Sequence, residues 1–124
     1  MPKLHAIQHR LKILIAGGGV AGLEALIALR AMVGGTVEIE LLAPDVEFSY
    51  RPIAVAEPFG LGEVRRFDLA AIAADHKAHF RRDALAAVDV RGAAALTTGG
   101  LRIGYDYLVV AFGAGRVVAI AGAV

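Results

Sequence analysis

The chain has no cysteine. That excludes a disulfide framework, a thiolate metal site and a redox-active dithiol within these residues, so any redox chemistry must belong to a bound cofactor. It also lacks a strong charge of either sign. Thirteen Lys and Arg against twelve Asp and Glu give a formal net charge of +1, and the pairs Arg65-Arg66 and Arg81-Arg82 are too short to form a nucleic-acid stripe. Nucleic acid is therefore not an expected partner. No run reaches the roughly 18 apolar residues of a membrane span; the first, residues 11–16, is interrupted by Lys12 and leads into glycines. The expectation is a cytoplasmic protein with neither a transmembrane segment nor a signal peptide. The histidine pair His76 and His79 has Lys77 between its members and no carboxylate or cysteine companions, so no metal site is expected.

What the chain does have is apolar mass and glycine. Hydrophobic residues make up 57% and charged ones 20%, with 15 glycines in 124 residues, which points to tight helix-on-sheet packing in one domain or part of one. Residues 1–10 are polar and aperiodic and read as a flexible leader, with the domain running over 11–124. Residues 11–16, Leu-Lys-Ile-Leu-Ile-Ala, have the pattern of a strand buried on both faces of a parallel sheet. The strand ends in Gly17-Gly18-Gly19. Over residues 20–33 the apolar side chains Ala21, Leu23, Ala25, Leu26, Ala28, Leu29 and Met32 recur at helical spacing, with Glu24 and Arg30 on the stripe expected to face solvent. Gly34-Gly35 stops this helix, and residues 36–42 form a second strand, which must lie parallel to the first with a right-handed crossover.

Residues 43–66 read as one long loop containing Pro44, Pro52 and Pro58, and loops of that length are usually functional. Asp68 is placed to cap a short helix over residues 69–76, with Phe67 and Ile72 as a hydrophobic staple. Residues 78–82 are a third parallel strand. Three short strands over 85–88, 93–97 and 101–103 make an antiparallel meander, and residues 105–113 return to the parallel sheet. The fold class expected is α/β: a Rossmann-like parallel sheet with an antiparallel β-meander crossover.

The segment Gly17-Gly18-Gly19-Val20-Ala21-Gly22 is a dinucleotide-binding turn in the right setting, between an apolar strand and a helix. Gly17 permits the tight turn, Gly19 lets a diphosphate approach the backbone, and Gly22 lets the helix pack closely on the strand. The helix N-terminus adds free N–H groups and a partial positive charge. The second strand of such a unit ordinarily ends in a carboxylate that binds the adenosine ribose. Ala43 occupies that position here. Glu40 lies three residues earlier and faces the other side of the sheet, which leaves Asp45 as the substitute.

Residues 12–22, the Tyr50-Arg51-Pro52 loop and the segment 105–114, Tyr-Asp-Tyr-Leu-Val-Val-Ala-Phe-Gly-Ala, together resemble the pyridine nucleotide-disulfide oxidoreductase superfamily, in the branch of type II NADH:quinone and sulfide:quinone reductases. The resemblance implies that residues 11–124 are the N-terminal part of an FAD-binding domain, incomplete as it stands, and that the parent is an FAD-dependent enzyme that takes electrons from NAD(P)H or a similar donor and passes them through the flavin to a quinone or other acceptor. It also implies that Leu85 offers its backbone to adenine and that the Arg51-Pro52 turn lies near the flavin ring. Ala111 and Gly113 match the family's closing Ala-Thr-Gly, with Phe112 in place of the threonine. The inserted NAD(P)H domain and the returning Gly-Asp segment of the family are not found, so this form is expected not to oxidise NADH alone. Its partners would then be the dinucleotide, a missing C-terminal portion, or another copy of itself through exposed apolar surface. No side chain stands out as a catalytic acid, base or nucleophile. Two alternatives stay open: a non-catalytic or truncated dinucleotide-binding module, and the NAD(P)-binding Rossmann domain of a dehydrogenase, against which the meander speaks.

Overall fold

The computed structural model describes residues 10–50 and 65–112. Residues 1–9 of the expected leader, the Arg51-Pro52 turn, and Gly113 with the apolar stretch to Val124 lie outside them.

Four parallel strands form the central sheet: β1 (Lys12–Ala16), β2 (Glu38–Ala43), β5 (His79–Arg82) and β9 (Tyr107–Val110), in the order β5-β2-β1-β9. Helix α1 (Val20–Val33) connects β1 to β2. The β-branched and leucine-rich runs of β1 and β2 explain their central place, because both faces of these strands are covered. On one face Ile13, Ile15, Ile39 and Leu41 pack with Leu23 and Leu26 of α1 and Leu69 of α2 (Leu69–Asp75). On the other, Leu14, Ala16 and Leu42 pack with Leu85, Ala95 and Ile103. Those last three come from β6 (Leu85–Asp89), β7 (Ala94–Thr97) and β8 (Arg102–Gly104), an antiparallel sheet of three strands. The parallel sheet is thus covered by helices on one face and by the meander on the other, which gives β1 the burial on both faces that its apolar run implied.

Four local expectations need correction. First, the buried stripe of α1 is narrow: Gly22, Leu23 and Leu26 are buried, whereas Ala21, Ala28 and Met32 are exposed, Met32 to 79%. Helical spacing located the helix but did not say which apolar positions meet the sheet. Second, Arg30 is not on a solvated stripe. Its Nε donates to the His76 carbonyl at 2.7 Å, Nη1 to those of Gly34 at 2.5 Å and Val37 at 3.0 Å, and Nη2 to that of Lys77 at 3.1 Å. One guanidinium therefore joins the C-terminal ends of both helices to the start of β2. Third, β2 begins at Glu38 rather than Thr36, because Gly34–Thr36 form a single 3-10 turn. Fourth, the expected long loop is partly structured. β3 (Glu47–Tyr50) pairs antiparallel with β4 (Arg65–Asp68), and Phe48 stacks on Phe67 with ring centroids 6.1 Å apart.

Arg10, expected at the end of the leader, donates from Nη2 to the Gly35 carbonyl at 2.6 Å. The cap of α2 is as expected: Asp68 Oδ1 accepts from the amides of Ala70 at 2.9 Å and Ala71 at 3.3 Å. Among the described residues no helix is long and apolar enough to cross a membrane.

Candidate functional site: the glycine turn

The turn sits over the C-terminal ends of the parallel strands, at the point where strand order departs from β1 in two directions. Three backbone hydrogen bonds hold those ends together. Gly17 N donates to Leu42 O at 2.8 Å, Ala111 N to Ala16 O at 2.8 Å, and Asp83 N to Ala43 O at 3.0 Å. This is the crevice in which open α/β sheets bind ligands.

The four glycines of the turn meet different surroundings. Gly17 has φ +132°, a conformation that side chains disfavour, and a Cβ there would run into the Ala111 carbonyl of the chain leaving β9. A Cβ on Gly22 would run into the Gly17 carbonyl. At Gly18 a Cβ would lie 2.7 Å from Leu69 Cδ1 and 2.9 Å from Ala43 Cβ. These three glycines are required by packing of the protein on itself. Gly19 is the exception, for among the described residues nothing lies within 4 Å of a Cβ built there.

Gly19 is also the N-cap of α1, in extended conformation and without a side-chain cap. Its carbonyl accepts from Leu23 N at 3.0 Å. The amides before Leu23 in the first turn, those of Val20, Ala21 and Gly22, have no carbonyl one turn back. Val20 and Ala21 are exposed. Open space, unpaired donors and the positive end of a helix dipole coincide at Gly19, which is the arrangement that holds a phosphate. The residues present therefore fit the diphosphate of a dinucleotide.

The ribose side is different. Ala43 is only 2% exposed and its methyl faces Gly18 and Leu69, itself 1% exposed. Leu69, at the start of α2, fills the space beside the end of β2. Asp45 is exposed beyond the strand. Leu85 is the first residue of β6, and its side chain is buried in the second core. Ala111 abuts Gly17 through its backbone, and Phe112 is 43% exposed. The turn thus gathers Gly17, Gly18, Gly19, Val20, Ala21, Gly22, Ala43 and Ala111 in one place.

Two residues at the rim have no signal in the sequence. Asp83 Oδ1 accepts from Ala84 N at 2.8 Å, Thr98 Oγ1 at 3.0 Å and Gly99 N at 3.0 Å, tying the end of β5 to the meander. The Thr97 hydroxyl and the Ala84 amide hold its carboxyl below the ordinary range. Arg82 is exposed beside it, and its Nε donates to the Pro44 carbonyl at 3.2 Å. Both roles depend on register across β2 and β5, which sequence spacing does not carry.

Glu40 faces the meander side, as the strand period requires. It is 3% exposed and paired to Lys12 Nζ at 2.9 Å and to Arg81 Nε. Burial pushes its carboxyl up, but the hydrogen bonds and charges of Lys12 and Arg81 outweigh burial and leave it below its ordinary value. It takes no part in the glycine turn.

No family model matches the sequence, and no curated protein does. Solved structures do match. The sulfide:quinone oxidoreductase of Aquifex aeolicus is 25% identical with a TM-score of 0.78, over 86% of this chain and 25% of that one. NDH2 of Plasmodium falciparum in complex with NADH is 18% identical with a TM-score of 0.71, over 88% of this chain and 23% of that one. NADH:rubredoxin oxidoreductase of Clostridium acetobutylicum is 20% identical with a TM-score of 0.66, over 86% and 29%. The chain spans about a quarter of the length of these proteins. The resemblance carried by the glycine turn, the meander and the closing strand is matched in three dimensions: the chain has the Rossmann-like fold of the FAD domain of the pyridine nucleotide-disulfide oxidoreductases.

Proposed function

We propose that this chain binds FAD, with the diphosphate over Gly19 and the first turn of α1, as the FAD-binding part of an oxidoreductase that moves electrons from NAD(P)H or a similar donor to a quinone or other acceptor. The observation that carries the reading is the contrast among the glycines: three are closed by protein atoms, and Gly19 opens onto unpaired helix amides. The comparisons with flavin-dependent oxidoreductases support it.

When bound, the flavin would supply the redox chemistry, and the protein's task is to hold and orient it. Gly17 fixes the direction in which the chain leaves β1. The amides of Val20, Ala21 and Gly22 offer donors to the phosphates. Asp83 fixes the link from β5 to the meander, and with it the backbone at Leu85 that would meet the adenine. Arg51, Pro52 and Gly113 belong to the same proposal on the strength of the family pattern.

The test is titration of the purified chain with FAD, followed by flavin fluorescence, beside Gly19→Val. Binding that is lost in Gly19→Val with the circular dichroism unchanged is the expected result. Equal affinity of the two proteins would overturn the assignment.

A further inference from the structure

We infer that Leu69 is a positioning residue for the glycine turn: from outside the β1-α1-β2 unit it holds the Gly18-Gly19 backbone in the geometry that presents the first turn of α1 to a diphosphate. The inference rests on the nucleotide reading of the turn. It adds the element on which binding depends, the start of α2 with the β3-β4 pair behind it.

A run of three glycines gives up more backbone freedom on folding than other residues would, so something must fix it. Hydrogen bonds fix only its ends. Gly17 N donates to Leu42 O, and Gly19 O accepts from Leu23 N. Among the described residues the amides of Gly18 and Gly19 donate to no carbonyl, so packing sets the conformation between those ends. Ala111 closes the side-chain position of Gly17. At Gly18 the wall is the Ala43 methyl, 2.9 Å from an added Cβ, and Leu69 Cδ1 at 2.7 Å. Ala43 belongs to β2 and comes with the sheet. Leu69 comes from α2, and a smaller side chain there would free Gly18 on that side.

Leu69 is itself firmly held. It is 1% exposed and packs in the helix-side core with Ala43. Its amide donates to Val46 O at 3.0 Å, and the preceding carboxylate, Asp68, caps α2 through the amides of Ala70 and Ala71. Asp68 also ends β4, in register with Glu47 and next to the stacked pair Phe48 and Phe67. Strand pair and helix together thus deliver a leucine methyl onto the turn. Gly19, the next residue, stays open. Wall and ligand space therefore lie on adjacent residues, and donors aimed in advance by packing lose little freedom when a ligand binds.

The experiment measures FAD affinity by flavin fluorescence and, in the ligand-free chain, the amide order parameters of Gly18 and Gly19 by nuclear magnetic resonance. Each variant is studied at a temperature where circular dichroism shows it folded. Leu69→Ala should bind FAD about tenfold more weakly or worse, the scale of one misdirected charge-assisted hydrogen bond, and its two glycine order parameters should fall. Leu69→Met keeps the volume and should keep most of the affinity. Ile103→Ala, a truncation in the meander-side core away from the turn, should lower the melting temperature and change neither readout. If Leu69→Ala does not fold, the exposed Asp68 decides: Asp68→Ala loosens the start of α2 and should weaken FAD severalfold, whereas Asp68→Asn, an equal cap, should not. Native affinity or unchanged glycine order in the deciding variant, or an equal loss in Ile103→Ala, overturns the inference and leaves Leu69 a core residue only. Gly19→Val separates the two levels. A native chain that does not bind FAD, or binds it no better than Gly19→Val, removes the nucleotide reading and the inference with it. Binding lost in Gly19→Val but kept in Leu69→Ala removes the inference alone.

Discussion

Replacing Gly19 by serine should stabilise the protein and weaken nucleotide binding at once. Gly19 is the N-cap of α1 with φ −88° and ψ −163°, which serine adopts without strain, and no side chain now caps this helix. A serine hydroxyl would accept from the amide of Ala21 or Gly22; since glycine is itself a fair cap, the gain over it is a few tenths of a kcal/mol. At about 2 cal/mol/K of unfolding entropy per residue, that raises the melting temperature of a domain of this size by roughly 1 °C. The added Cβ meets no atom of the described residues, so no packing penalty from them offsets the gain. The same hydroxyl occupies the space above the turn and takes a donor that a phosphate would use. The loss of one such charge-assisted bond corresponds to about tenfold to hundredfold in affinity. Thermal melts of the ligand-free proteins and FAD titrations measure the two effects separately. A stabilised Gly19→Ser protein with native FAD affinity would refute the placement of the diphosphate, and a destabilised one would refute the open geometry of the cap.

Other consequences follow from the packing. Arg30→Ala should cost about 1 to 3 kcal/mol in thermal or denaturant unfolding, since it removes the donor shared by the carbonyls of Gly34, Val37, His76 and Lys77, of which Val37 keeps a 3.4 Å contact from Arg10; Arg30→Lys should recover little of it, having no planar fork to span them. Stability should fall in acid. The carboxyl of Glu40 is held below its ordinary 4.5 and those of Asp83 and Asp89 below 3.8, so their contributions are present above those values and are lost as pH falls through the lower folded-state values. In unfolding curves against pH, Glu40→Gln should flatten that decline and lower stability near neutrality by about 1 to 3 kcal/mol, less than a fully buried pair because Lys12 and Arg81 are partly solvated. The isolated chain should self-associate through exposed apolar residues such as Val20, Ile27 and Met32 of α1 and Tyr107 and Val110 of β9; light scattering that finds a monodisperse monomer at high concentration would contradict this.

Much of the architecture was legible because it rests on local pattern. The apolar runs of β1 and β9, the helix between two glycine signals, the Asp68 cap and the three meander strands each announce themselves within a few residues. The demands on two of the glycines were legible for the same reason: strand, turn and helix are contiguous at 12–33, and the steric need for Gly17 at the turn and Gly22 at the helix–strand contact follows from that order. What was not legible depends on side chains meeting across the fold. Arg30 looks like any solvated helix charge until α2 brings two carbonyls to it. The β3-β4 pair escaped notice because prolines and the length of the intervening chain mask short strands. Gly18 reads as part of a phosphate loop, yet its smallness is set by Leu69, 51 residues away in sequence. The empty carboxylate position at Ala43 was visible in the sequence, whereas the arginine beside it emerges only from the register of β2 with β5.

Binding of FAD over Gly19 is read most directly from the visible spectrum of the chain after incubation with FAD and removal of free ligand. A flavoprotein retains bands near about 370 and 450 nm. The native chain should keep them in stoichiometric amount, and Gly19→Val, with an unchanged circular dichroism spectrum, should lose them. Bands of equal strength in both proteins, or in neither, would contradict it.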